Sequence, residues 1–88
     1  MTTGFMKKFR LCVRDEYGSR KEFDLTGASV VEMNARIPRI CQEWAWHLDW
    51  IEDGDDVEVY WELEDHGIVV DSGCHVEGIV QDQDPLRL

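Results

Sequence analysis

The chain has 88 residues, 43% of them hydrophobic, and a formal net charge of −10 at pH 7. This length predicts one domain over residues 1–88, with loose ends at 1–6 and 81–88, and excludes a second domain. No apolar run reaches the roughly 18 residues that a membrane-spanning helix needs, and residues 1–6 are too short and polar for a signal peptide, so we expect a cytoplasmic protein without membrane contact.

The first two predicted elements form a β-hairpin. Residues 7–14 alternate, with Phe9, Leu11 and Val13 on one side and mostly basic side chains on the other. This pattern is typical of a half-buried strand. Turn-forming residues follow at 15–18, and Phe23 and Leu25 mark the inward positions of a second strand over 20–25.

Residues 29–51 are the only segment long and periodic enough for a helix of more than three turns. Ser29 and Glu32 have the spacing of a capping box at its start. Pro38 lacks a backbone N–H, so we expect a kink or a break near 34–38, with 38–51 helical in either case. An apolar stripe at steps of three and four residues predicts the core side of the helix: Val30, Met33, Ile37, Ile40, Trp44, Leu48 and Ile51.

Two more strands are predicted after an acidic loop at 52–56. Residues 56–64 alternate strictly, with apolar side chains at the odd positions and mostly acidic ones at the even positions. Residues 68–80 form a return strand in which Gly73 and Gly78 indicate a bend or bulge. The predicted inward side of this last strand comprises Ile68, Val70, Cys74, Val76 and Val80.

The order strand, strand, helix, strand, strand predicts an α+β fold. It is a two-layer ββαββ sandwich, with one long helix on one face of a four-stranded, mostly antiparallel sheet. Opposite charges on the outer sides of the first and third strands favour the strand order 2-1-3-4. That order would place three basic residues beside three acidic ones: Lys8, Arg10 and Arg14 beside Glu58, Glu62 and Glu64.

The residue types that carry chemistry form no familiar catalytic or metal-binding motif. Cys41 and Cys74 are predicted to be small core residues. A metal site formed by Cys74, His75 and His66 is disfavoured, because adjacent residues of a strand point to opposite faces. No glycine-rich phosphate loop or triad-like histidine is present. We therefore expect a non-enzymatic protein without metal or cofactor.

Negative charge is concentrated in the second half of the chain. Residues 45–88 hold thirteen Asp and Glu against one Arg, whereas residues 1–44 hold six against eight Lys and Arg. An acidic surface repels nucleic acid and attracts basic proteins. One interpretation is a solubilising surface; the sharper hypothesis is that the carboxylates replace phosphates and bind a basic protein surface. The predicted partner-binding carboxylates are Glu52, Asp53, Asp55, Asp56, Glu58, Glu62, Glu64 and Asp65.

The far side of the helix offers an alternative site. At about 100° per residue, Trp46 and Trp50 fall opposite Trp44, in company with Arg39 and Glu43. Exposed Trp and Arg often anchor protein contacts, so this face indicates a structural or adaptor module. A homodimer and a contact with a different protein remain equally open. The competing interpretation is that a helix kink, or the tail residues Leu86 and Leu88, cover the two Trp side chains within the monomer.

Small size, the acidic clusters at 52–56 and 62–65, and the compact strand–helix–strand plan together resemble a known class of proteins. They are similar to the small acidic inhibitors of the anti-CRISPR type that phages encode. The resemblance rests on size, charge and plan. It implies inhibition by binding to the nucleic-acid-binding surface of an effector protein, without enzymatic action.

Overall fold

The computed structural model describes residues 6–80, which form two hairpins joined by one helix. The strands are β1 (Lys7–Arg14), β2 (Arg20–Gly27), β3 (Asp56–Asp65) and β4 (Ile68–Gly78), and the helix α1 spans Val30–Ala45. Neighbouring strands are antiparallel, in the order β2-β1-β3-β4. The predicted ββαββ fold and strand order are both confirmed. The expected loose ends lie outside the described residues, apart from Met6.

The core lies between α1 and one face of the sheet. Leu11 on β1 is opposite Phe23 on β2 and Leu63 on β3, so these three apolar side chains form a row beneath the helix. The buried apolar core comprises Phe9, Leu11, Val13, Leu25, Met33, Ile37, Cys41, Ala45, Leu48, Val57, Val59, Leu63 and Ile79.

The start of α1 follows from its capping residues. The Ser29 hydroxyl accepts a hydrogen bond from the Glu32 backbone N–H at 3.2 Å, and the Glu32 carboxylate accepts one from the Ala28 N–H at 3.0 Å. Both bonds satisfy N–H groups that have no partner within the helix. The helix continues through Pro38, so the predicted break is wrong, whereas the kink stays a prediction.

The end of α1 differs from the prediction, because the helix stops at Ala45 and not at residue 51. After Ala45 the chain forms a tighter turn, in which the N–H groups of His47 and Leu48 donate hydrogen bonds to the carbonyls three residues earlier. The last turn has no basic residue to offset the negative end of the helix dipole. The turn also brings Leu48 into the core. The core side of the helix is correspondingly shifted: Cys41 and Ala45 are fully buried, whereas Ile40 and Trp44 are only half-buried.

The predicted inward side of β4 is wrong. Val57 is opposite Glu77 and Val59 is opposite His75, so the polar side of β4 faces α1. The helix supplies the matching polar groups: the Asn34 amide donates to Asp71 at 2.8 Å and the Gln42 amide donates to Glu77 at 3.2 Å. These hydrogen bonds replace those that the carboxylates would make with water and so offset the cost of burying them.

As a consequence, the predicted core position of Cys74 is also wrong. Its side chain lies on the open sheet face and is exposed, whereas Cys41 is buried as predicted. The register shift falls at Val70, which lies between the pairs Leu63–Asp71 and Glu64–Val69, and not at either glycine. Gly73 instead makes room for an aromatic ring, since a Cβ there would lie 2.7 Å from Cζ2 of Trp61.

Candidate interaction surface

The half of the molecule formed by residues 52–80 is acidic throughout. It contains ten Asp and Glu and no Lys or Arg. All eight carboxylates predicted to bind a partner belong to this half. The cations of the sheet all lie on β1 and β2. The fold therefore confines the basic side chains of the sheet to the first hairpin.

A row of carboxylates follows β3 on the sheet face away from α1. Glu58, Glu62 and Glu64 share this face because successive side chains of a strand alternate. Arg10, although opposite Glu64, lies closest to carboxylates of β2, at 3.8 Å from both Glu22 and Asp24. The predicted alignment of β1 with β3 is confirmed, but the ion pairs of Arg10 go to β2. The row consequently keeps its negative charge.

The acidic loop before β3 contains both exposed and structural carboxylates. Asp55 accepts a hydrogen bond from the Glu52 N–H at 2.6 Å, and its own carbonyl accepts one from Ile79 at 2.8 Å. Gly54 adopts φ 93°, a left-handed conformation that glycine tolerates best. Asp55 therefore shapes the loop, whereas Glu52, Asp53 and Asp56 are exposed.

Asp65 lies at the opposite end of β3, about 30 Å from Asp56 at the usual rise per strand residue. It contacts Lys7 at 3.4 Å and the His66 ring at 2.7 Å. Burial acts to raise the pKa of Asp65, but these two partners outweigh burial and hold the pKa below its ordinary value. Glu58, Glu62 and Glu64 thus form a line on one face of β3, whereas Asp65 lies on the opposite face and is paired with Lys7 and His66.

The predicted Trp-bearing helix face does not form. Because α1 ends at Ala45, Trp46 and Trp50 leave the helix and pack against the core as half-buried side chains. Burial acts to raise the pKa of Glu77, but His75, Gln42 and Trp46 beside it outweigh burial and lower that pKa. Arg39 and Glu43 remain exposed on the helix and pair with each other at 3.0 Å. The suggested cover by Leu86 and Leu88 lies outside the described residues.

Trp50 is held by a buried carboxylate that the sequence did not single out. Asp15 is only 4% exposed and accepts hydrogen bonds from the Trp50 ring N–H at 2.7 Å and from the backbone N–H groups of Tyr17 and Ser19. The Tyr17 ring packs edge-on against Trp50. Burial alone would raise the pKa of Asp15, but the hydrogen bonds outweigh it and lower that pKa.

An exposed apolar strand edge is the second feature that sequence reasoning missed. Five of the eight large exposed apolar side chains lie on or just after β4, which makes this strand the main apolar part of the described surface. The signal was present in the alternation of 68–80, but the apolar side was assigned to the core. The five residues are Ile68, Val69, Val70, Val76 and Val80.

The described residues contain neither a metal-binding cluster nor a membrane-spanning helix. Between residues 6 and 80, no three His, Cys, Asp or Glu side chains are grouped so that they could hold a metal ion. No helix in this part of the chain is long and apolar enough to cross a membrane.

No protein-family model, curated protein or solved structure matches this chain.

Proposed function

We propose that this is a non-enzymatic binding protein whose acidic half occupies the basic nucleic-acid-binding surface of a partner protein and thereby inhibits it. The observation that carries the proposal is the charge of residues 52–80, with ten carboxylates and no Lys or Arg. Such a surface attracts a basic protein and steers its approach.

The geometry of β3 supports a contact with a groove built for phosphates. Residues two apart in a strand lie about 6.8 Å from each other, and one strand of DNA carries a phosphate about every 3.4 Å along the helix axis. The row formed by Glu58, Glu62 and Glu64 therefore follows a line at up to half the charge density of a nucleic-acid strand. Asp56, exposed at the start of β3, extends this row, and the exposed Asp53 precedes it in the loop.

The resemblance to anti-CRISPR inhibitors suggests a class of partner, namely an effector protein that binds DNA or RNA. The alternative of an adaptor assembling through a Trp face has lost its geometric support. Both Trp side chains are half-buried against the core of the monomer, and the Trp50 ring N–H also donates to Asp15.

Affinity capture with charge-matched variants tests the proposal. Tagged protein is incubated with nuclease-treated lysate of cells in which it is naturally made. We expect it to retain a nucleic-acid-binding protein that is released as salt is raised, because charge contacts weaken with ionic strength. A triple reversal to Lys in the acidic half should abolish capture: Asp53, Asp56 and Glu62.

The matched control makes the same change in net charge on the other parts of the surface. It reverses three exposed carboxylates to Lys: Glu16, Asp24 and Glu43. This control should still capture the partner. Equal loss in both triple variants would mean that only net charge matters, and unchanged capture by the first triple variant would contradict the proposed surface.

A further inference from the structure

β4 is an edge strand whose outer side has no neighbour in the described chain. Its inner side pairs with β3, and no backbone hydrogen bond within residues 6–80 joins its outer side to another segment. An unpaired strand edge presents a row of N–H and C=O groups that can bind another extended chain.

The hydrogen bonds beside Ile79 show which groups point outward. The Ile79 N–H donates to the Asp55 carbonyl at 2.8 Å, so Ile79 directs its backbone toward β3. Because this direction alternates along an antiparallel strand, Cys74, Val76 and Gly78 direct their N–H and C=O groups to the open edge. Ser72 has the same orientation, but its N–H is already bonded to the Asp71 carboxylate at 2.9 Å.

The two edges of the sheet differ in how they are protected. Edge strands are usually blocked by charged side chains, lysine above all. β2 begins with Arg20 and Lys21, whereas β4 contains no Lys or Arg. The open face of β4 instead presents Val76, which is 59% exposed, beside Glu58 of β3. The β4 edge is therefore open to pairing over 74–78, beyond the register shift at Val70, and an acidic row lies directly behind it.

That row determines the charge of the occupant. A strand added to β4 would lie about 10 Å from β3. A Lys or Arg side chain can bridge this gap by laying its stem across Val76 toward Glu58, or across Ser72 toward Glu62. A second copy of this chain is a poor occupant at either of its edges. Its β4 has no Lys or Arg, and the open face of its β2 carries Glu22 and Asp24 against one Arg. An extended basic segment fits both the backbone edge and the charge.

We propose that β4 binds an extended, Lys- or Arg-rich segment of the partner protein as a fifth strand of the sheet. This inference rests on the proposed function, since it names the part of the basic partner that makes the contact. Backbone pairing gives the contact its geometry, and the carboxylate row selects the basic sequence.

Blocked peptides with alternating Thr and Lys test this directly on the wild-type protein. An eight-residue Thr-Lys peptide should slow hydrogen exchange at the amides of Cys74, Val76 and Gly78, measured by NMR. A Thr-Glu peptide of the same length should not bind. A Thr-Lys peptide N-methylated at alternate residues keeps its charge but loses strand hydrogen bonds, and should bind at least about tenfold more weakly.

A matched pair of protein variants tests the role of the row. Glu62→Gln should weaken binding of the Thr-Lys peptide, whereas Glu16→Gln, on the β1–β2 turn, should not. Equal binding of the N-methylated peptide would contradict strand addition while leaving charge-based recognition intact. The inference would also be overturned if the amides of Cys74 and Val76 exchange slowly in the free protein, or if no peptide slows their exchange. Failure of the proposed function itself would be seen separately, because the capture experiment would then retain no nucleic-acid-binding protein.

Discussion

Replacing Asp15 by Ala tests whether Trp50 belongs to the fold. The carboxylate is 4% exposed and accepts three hydrogen bonds, of which the one from the Trp50 ring is the shortest at 2.7 Å. Removing it leaves a half-buried indole N–H and two turn N–H groups without their acceptor. A buried donor that loses its partner retains the cost of leaving water.

The size of the effect follows from these contacts. A hydrogen bond to a charged group contributes roughly 1.5–3 kcal/mol, and the two turn N–H groups recover part of their loss by bonding water. We therefore expect Asp15→Ala to lower the free energy of unfolding by about 3 kcal/mol, which corresponds to roughly 12–24 °C in Tm for a domain of this size. Trp50→Phe keeps most of the ring packing and should cost about 1–2 kcal/mol.

Urea unfolding followed by circular dichroism measures both changes, and the double variant gives the coupling between the two side chains. Asp24→Ala is the control, because its side chain is 91% exposed, and it should leave the midpoint nearly unchanged. If the free energy of unfolding of Asp15→Ala lies within about 0.5 kcal/mol of the wild-type value, as for an ordinary surface substitution, then Asp15 does not anchor Trp50.

The same carboxylate predicts a pH dependence. The folded pKa of Asp15 lies below its ordinary value of 3.8, so its contribution is present above that pH and is lost as pH falls through the folded pKa. Asp15→Asn should remove this part of the acid destabilisation. If the free energies of unfolding of the wild type and of Asp15→Asn fall equally steeply with pH below about 4, Asp15 does not contribute to the acid destabilisation.

Three other predictions follow from the core and the helix start. Gly73→Val should cost about 1–3 kcal/mol, because the new side chain meets the Trp61 ring, and an unchanged urea midpoint would refute that contact. Ellman's reagent should label the exposed Cys74 rapidly and Cys41 only after unfolding, because Cys41 is fully buried and burial raises its pKa to about 12. Rapid labelling of Cys41 in the native Cys74→Ser variant would contradict this burial. Ser29→Ala should lower stability by about 1 kcal/mol through loss of the helix cap, and thermal melting with no shift would exclude that role.

Local patterns predicted most of the fold. Alternation of apolar residues predicted β1 and β3, and the capping pair Ser29 and Glu32 predicted the start of α1. Opposite charges on the first and third strands predicted the strand order. What the patterns could not give was the end of α1. Helical periodicity assumes that the helix continues, and the burial of Leu48 and Trp50 ended it at Ala45.

The candidate site was predictable in composition but not in arrangement. The carboxylates of 52–65 could be recognised as one acidic group, because charge is read directly from the sequence, whereas their binding role stays a prediction. The orientation of β4 was not, since the rule that apolar residues face inward favoured Cys74 and Val76. The partners offered by Asn34, Gln42 and His75 allow Asp71 and Glu77 to face the helix. Such long-range pairing of polar groups leaves no periodic signal.

Competition with nucleic acid is the most direct test of the central claim, once capture has identified the partner. Labelled nucleic acid is titrated with the partner in the presence of increasing amounts of this protein. If the acidic half occupies the nucleic-acid-binding surface, the apparent Kd for nucleic acid should rise in proportion to the protein added, and the reversal of Asp53, Asp56 and Glu62 to Lys should remove the effect. A stable ternary complex, with nucleic acid bound at unchanged affinity, would contradict the account.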